Sequence, residues 1–203
     1  MTHSVAELSF DKGRHLFHQG DPVSGAYSLT SGLVAVERVD ESGDMVIFRL
    51  LRPGAFFPCA DLFADGVHGT GARALGPVEV CFIPLDRLNA ALDQPAVRAA
   101  LLHHTCDEAR HNENTIFRLC AGQLAERILA LLAELAADIA VAVDGTRSLM
   151  LPVSWRDVAA MVGTSPEVLS RTLRRLADDR RLTFNGRYVT LAAEHVTTTR
   201  RAG

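Results

Sequence analysis

The order of local signals between Ser154 and Leu191 constrains this chain more than any other feature. Ser154 suits the N-cap of a helix, with Asp157 three residues on to complete a capping-box-like start, and Val158, Ala159 and Val162 at helical spacing. Gly163 supplies the left-handed conformation that ends that helix and turns the chain. Thr164 or Ser165 then caps a second helix. Pro166 fits its first position, where an amide hydrogen has no intrahelical partner, and Glu167 favours the positive end of the helix dipole. Along this second helix Val168, Leu169, Leu173 and Leu176 share a core-facing stripe, which leaves Glu167, Ser170, Arg171, Arg174 and Arg175 outside. An Asn185-Gly186 turn between short apolar runs predicts a hairpin. Helix, tight turn, basic helix and hairpin in that order predict a winged helix-turn-helix.

A basic helix of this size fits the major groove of DNA, where arginine can bond both N7 and O6 of guanine and a carboxylate can accept from cytosine N4. Glu167 and Arg171 are four apart, so they share a face and can position one another. Thr164, Ser165, Arg174, Arg175, Arg180, Arg181 and Arg187 are candidates for phosphate contacts along the backbone. The charge distribution agrees. Over the whole chain the net charge is only -3, but residues 1–122 carry 10 basic and 15 acidic side chains, net -5, and residues 123–203 carry 11 and 9, net +2. The positive potential is concentrated in the C-terminal part.

At 203 residues and 48% hydrophobic content, the chain has the composition of an ordinary globular protein with room for one large or two small cores. No apolar run approaches the ~20 residues of a membrane span. MTHSVAELSF lacks the basic-then-apolar order of a secretory signal, so a cytoplasmic protein is expected. Cys59, Cys81, Cys106 and Cys120 are widely spaced, with no CxxC pair, and reduced thiols are the expectation.

Up to about Leu92, short apolar stretches alternate with glycines: residues 26–29, 33–39, 45–51 and 78–83 read as strands, with turns near Asp21-Pro22, Ser42-Gly43 and Pro53-Gly54. Short strands at this spacing predict a small antiparallel barrel or roll whose interior can hold an effector. After Pro95 the pattern becomes a long helix. Ala99, Leu102, Cys106, Ala109, Glu113, Ile116 and Cys120 follow alternating steps of three and four, a coiled-coil-like seam that predicts pairing with a second copy. Gly122 is the expected hinge. The predicted organisation is a β-roll sensor domain over 1–93, a dimerisation helix and hinge over 94–122, and a DNA-binding domain over 123–203.

These segments together resemble the bacterial transcription regulators of the cyclic AMP receptor protein/FNR family over essentially the whole chain. HLFHQGDP, YSLTSGLVAV and LLRPGAFF resemble that family's β-roll; AGQLAERILALLAEL resembles its hinge and following helix; LPVSWRDVAAMVGTSPEVLSRTLRRL and NGRYVTL resemble its DNA-binding domain. The resemblance implies an α+β chain with an N-terminal antiparallel β-roll (a double-stranded β-helix), a long dimerisation helix and a C-terminal winged helix-turn-helix. It implies a homodimer on double-stranded DNA, with RNA polymerase as a further partner. Glu167, Ser170 and Arg171 resemble the reading set of the FNR-like branch, which implies an inverted repeat of TTGA-like half-sites. Pro166 stands where the cyclic AMP branch has an arginine.

Two departures bear on the effector. Pro58-Cys59 replaces the Gly-Glu pair that holds the ribose in cyclic-nucleotide binders, and Thr70-Gly71 replaces the Arg-Ser pair that holds the phosphate, so a cyclic nucleotide lacks its main polar anchors. No FNR-type N-terminal cysteine cluster is present in this sequence. Phe56, Phe57, Pro58 and Cys59, with Thr70 and Gly71, are therefore the expected effector-pocket residues. Their chemistry keeps haem in view as a cofactor, with Cys59 as a thiolate ligand and His15, His18 or His68 opposite it. On the long helix, His104, Glu108 and His111 share a face that suits a metal or a titrating group and equally a solvated surface, with no metal site expected; Cys106 and Cys120 share a face that suits redox pairing near a twofold axis, small hydrophobes in the helix seam being the favoured reading.

An enzyme of the cupin type would need an HxH with a downstream Glu and His; His15-Leu16-Phe17-His18 has the wrong spacing and no such set follows. No Ser/His/Asp or Cys/His arrangement is recognisable, so no catalysis is expected. The remaining alternative is a ligand-binding regulatory module that acts through protein contacts without specific DNA binding.

Overall fold

The glycine-punctuated first half folds into two four-stranded antiparallel sheets in the computed structural model, which describes residues 5–120, 122–137, 139 and 141–193. One sheet orders β1 (Ala6–Phe10), β8 (Val78–Pro84), β3 (Gly25–Ser31) and β6 (Phe56–Phe57); the other orders β2 (His15–Phe17), β7 (Gly71–Ala74), β4 (Val34–Val39) and β5 (Met45–Leu51). The four runs read as strands from composition correspond to β3, β4, β5 and β8. β1, β2, β6 and β7 are additional, the last three being two to four residues long, too short for a period of two to register. Leu16, Phe17, Tyr27, Leu29, Val34, Val36, Leu51, Phe57, Val78 and Val80 fill the interior between the sheets. Phe17, Tyr27 and Phe57 meet there with ring centroids 5.7 to 6.4 Å apart. Burial of a side chain of this size contributes about 1.5–3 kcal/mol, which is what closes the roll.

Two helices follow the roll, α1 (Leu85–Ala91) and α2 (Pro95–Cys120). The chain divides into two compact units between Thr115 and Ile116, so α2 contributes its length to the first and its last turn to the second. Gly122 has φ 74 and follows the helix end.

The second unit contains α3 (Leu124–Leu135), β9 (Arg147–Met150), α4 (Trp155–Met161), α5 (Pro166–Asp178), β10 (Leu182–Asn185) and β11 (Tyr188–Leu191). α3 buries Ile128, Leu129, Leu131 and Leu132 along one side, α4 buries Val158 to Met161, and α5 buries Leu169, Leu173 and Leu176. β10, β11 and β9 form an antiparallel sheet in that order; β9 is the strand the hairpin signal alone does not reveal. The last turn of α2 is fastened to this unit. Arg127 Nη1 donates to the Leu119 carbonyl at 2.7 Å, Arg118 Nη1 lies 2.6 Å from Glu134 Oε2, and Leu119 approaches Gly163.

Candidate nucleic-acid interface

The turn between α4 and α5 is built as its residues dictate. The Ser154 hydroxyl accepts from the Asp157 amide at 3.1 Å while the Asp157 carboxylate accepts from the Ser154 amide at 3.0 Å, a complete capping box. Gly163 has φ 65, and the Thr164 amide donates back to the Ala159 carbonyl at 3.0 Å, closing a Schellman-type turn. A Cβ at Gly163 would lie 3.0 Å from Leu119 Cδ2, so this glycine answers both a backbone and a space requirement. Ser165, rather than Thr164, is the cap of α5: its Oγ accepts from the Val168 amide at 3.3 Å, and Pro166 takes the first turn.

With Leu169, Leu173 and Leu176 buried, the opposite face of α5 presents Glu167, Ser170, Arg171, Arg174 and Arg175, all exposed. The Ser165 hydroxyl holds the Glu167 carboxyl below its usual range, and the Arg171 charge one turn on adds to this. Glu167 is therefore an ionised acceptor at neutral pH. Thr164 is half-buried; Ser165, Arg180 and Arg187 are exposed. Among the described residues none of Arg171, Arg174, Arg175, Arg180 and Arg187 forms a salt bridge, so their charge is available to an external anion.

Arg181 behaves otherwise. Proposed from sequence as a phosphate contact, it instead binds both carboxylate oxygens of Glu126 on α3, at 2.8 and 3.2 Å. The 55-residue separation hides this pair from any local reading. Arg180 ends α5 with φ 58; its amide bonds the Ala177 carbonyl and that of Arg181 bonds Leu176, a Schellman turn without glycine.

The hairpin forms with a shifted turn. Asn185 pairs with Tyr188 as a strand residue, so Gly186 and Arg187 are the two loop residues, and only Gly186 has positive φ, at 59. That is the pattern of a type II′ loop with glycine first rather than an Asn-Gly type I′ loop, and it puts Arg187 at the tip. Trp155, which the sequence reading passes over, pins this wing: its Nε1–H donates to the Gly186 carbonyl at 2.7 Å and its ring meets Phe184 edge-on at 5.9 Å. A lone tryptophan directly after a helix cap was the available signal.

In the first unit, the residues expected to line a pocket are more deeply committed. Phe57 belongs to the core, Pro58 and Cys59 are buried, Phe56 is half-buried with its ring 5.8 Å from that of His104, Thr70 is half-buried, and Gly71 is buried. The Cys59 thiol faces the Phe56 carbonyl at 3.4 Å, and its pKa is pushed up to about 12, first by burial and then by the Glu108 charge. Such a thiol is a poor source of thiolate at neutral pH. Of the histidines named as its partners, His68 is buried against Phe17 with Nδ1 3.1 Å from Asp61 Oδ2, His15 Nε2 lies 3.0 Å from Glu37 Oε1, and His18 stacks on His15. These residues do not fit a haem held between Cys59 and a histidine.

His104, Glu108 and His111 are not brought together as a ligand set. Glu108 is occupied by Arg49 and two backbone amides, His111 Nδ1 bonds the Asp107 carbonyl at 2.7 Å, and among the described residues no group of three ligating side chains converges. Along α2 the whole seam, Ala99, Leu102, Cys106, Ala109, Glu113, Ile116 and Cys120, lies at least partly open, with Leu102 and Ile116 exposed at 65% and 58% and Phe117 beside them at 73%. No described helix is long and apolar enough to cross a membrane.

A cyclic nucleotide-binding domain model matches residues 7–95, and a Crp-like helix-turn-helix domain model matches residues 126–195. The anaerobic regulatory protein of Pasteurella multocida strain Pm70 is 26% identical over 181 residues, covering 89% of this chain and 66% of that protein. The fumarate and nitrate reduction regulatory protein of Escherichia coli K12 is 27% identical over 183 residues, covering 89% and 72%. The chain thus spans about two thirds to three quarters of the length of these relatives. Among solved structures, FixK2 from Bradyrhizobium japonicum aligns with 99% of this chain and 100% of its own at TM-score 0.78 and 26% identity. A CRP/FNR-family transcriptional regulator from Thermus thermophilus covers 94% and 96% at TM-score 0.76 and 26% identity.

Proposed function

This chain belongs to the cyclic AMP receptor protein/FNR family of DNA-binding transcription regulators, and from that premise we propose that it binds as a homodimer to an inverted repeat of TTGA-like half-sites. The observation that carries this reading is the outward face of α5, with Glu167, Ser170 and Arg171 together and, around them, arginines that meet no carboxylate among the described residues. Arg171 addresses guanine, Glu167 accepts from cytosine N4, and Thr164, Ser165, Arg174, Arg175, Arg180 and Arg187 fix the register on phosphates. The open apolar seam of α2, with Leu102, Cys106, Ala109 and Ile116, supports the homodimer, because a stripe of this kind in water favours a second apolar surface.

In this reading residues 1–93 sense, 94–122 pair, and 123–203 bind DNA in the cytoplasm. The signal enters through the region of Phe56 to Cys59, Thr70 and Gly71 and shifts the population of DNA-competent dimers, with RNA polymerase the partner that the family implies. The test compares affinity for a duplex carrying TTGA and its inverted repeat, half-site centres about 10 base pairs apart, with a scrambled duplex at the same salt. Preference for the repeat by about a thousand-fold or more is expected. Equal binding would reduce the interaction to charge attraction and favour a module that works through protein contacts.

A further inference from the structure

Three hydrogen-bond donors from two segments of the first unit converge on one carboxylate that the DNA reading leaves unexplained. Arg49 of β5 donates from Nη2 to Glu108 Oε1 at 2.8 Å, and the consecutive backbone amides of Cys59 and Ala60, just past β6, both donate to Glu108 Oε2 at 3.1 Å. The Arg49 and Glu108 side chains are only 12% and 13% exposed. One cation to neutralise the charge and two aligned amides to direct it are what an oxyanion receptor requires in a partly dry setting. The donor set is also larger than Glu108 uses. Arg49 Nε is buried with no hydrogen-bond partner among the described residues, so the guanidinium meets its carboxylate through one nitrogen where a free carboxylate can engage two.

The structure assigns a carboxylate-binding site to the β-roll, formed by Arg49 and the amides of Cys59 and Ala60, with Glu108 of the long helix as its tethered ligand. The assignment rests on the reading of residues 56–59 as the effector region and says what fills it. A ligand carried on the same chain pays no association entropy, so a free anion at low concentration does not displace it. Glu108 therefore fixes α2 to the roll without a small molecule. It is helped on the same helix by Thr115, whose hydroxyl donates to the Phe48 carbonyl at 2.9 Å. Truncating Glu108 empties the receptor and leaves a largely buried guanidinium without a counter-charge, which turns the site into one for small carboxylates in solution.

Cys59 reports on the site, because its amide is one of the donors and its side chain is buried beside the carboxylate. In the full chain with Cys81, Cys106 and Cys120 each replaced by serine, Cys59 is the sole thiol, and its rate of reaction with a thiol reagent is measured at constant ionic strength. With Glu108 present, the rate is slow and indifferent to acetate. Glu108→Ala raises it about ten-fold or more, and acetate restores protection along a saturable curve while chloride at equal ionic strength does not. An unchanged rate in Glu108→Ala, or equal protection by chloride, overturns the assignment. If circular dichroism shows that the alanine variant does not fold, Glu108→Gln decides: it keeps the shape without the charge, acceleration supports the site, and a parental rate contradicts it. Affinity for the inverted-repeat duplex, measured in parallel, separates the two readings. Acetate-dependent protection with unaltered DNA binding would leave the carboxylate site standing and remove the effector role of the region.

Discussion

Arginines in the two compact units serve contrasting uses. In the first, Arg49 and Arg73 are held by acids: Arg49 meets Glu108, and Arg73 embraces Glu37, donating from Nε to both oxygens at 3.0 and 2.9 Å with Nη2 2.7 Å from Oε2. In the second, Arg171, Arg174, Arg175, Arg180 and Arg187 turn outward and meet no carboxylate among the described residues. The same side chain serves as an internal strut where the fold brings an acid within reach, and as a docking group where it does not. Arg181 marks the border, lying within the basic run yet held by Glu126. Net charge cannot distinguish these uses; only partners can.

Removing a buried partner should break the contrast most forcefully. Glu37 is 4% exposed, and Glu37→Ala takes away the carboxylate that Arg73 and His15 share, an expected loss of about 3–5 kcal/mol in denaturant unfolding. A loss below about 1 kcal/mol would class the pair with ordinary surface ion pairs. Gly163→Ala comes next. It introduces a Cβ at φ 65 and 3.0 Å from Leu119 Cδ2, and should lower the stability of the second unit by about 1–2 kcal/mol. Leu119→Ala in the same chain should remove the steric part only, so a thermal-unfolding double-mutant cycle with no coupling would show that the contact with α2 is not felt.

The smallest effect has the opposite sign. Arg180→Gly relieves a left-handed arginine and should stabilise the unit by roughly 0.5–1 kcal/mol while weakening binding to every duplex alike. A drop confined to the inverted repeat would make Arg180 a reader of sequence rather than a phosphate contact.

What could be read without coordinates follows the range of the interactions. Caps, turns and helix faces are decided by neighbours three or four residues apart, so Ser154, Gly163, Ser165 and the apolar stripe of α5 are legible in sequence, as are the longer strands. Placing the turn one residue late at Gly186-Arg187 required the pairing of Asn185 with Tyr188, and β9 exists as a strand only because β11 pairs with it. The polar network around Glu108 joins residues 48 to 59 positions apart, and Glu37 joins His15 and Arg73 across strands. Nothing local in Arg49 or Cys59 announces these partners. The residues near Glu108 can be picked out in sequence only by type, because their roles are set by distant acids.

The most direct test of the outward trio on α5 is base-by-base. Every single substitution in one TTGA half-site is titrated against the parent protein and Arg171→Ala at one salt concentration. The parent should lose about 1–3 kcal/mol when the guanine is changed, and Arg171→Ala should be nearly indifferent to that change while keeping its penalties at the other positions. A guanine penalty that survives the substitution, or a uniform loss at all positions, would contradict the assignment of Arg171 as a reader and with it the account of how this face recognises DNA.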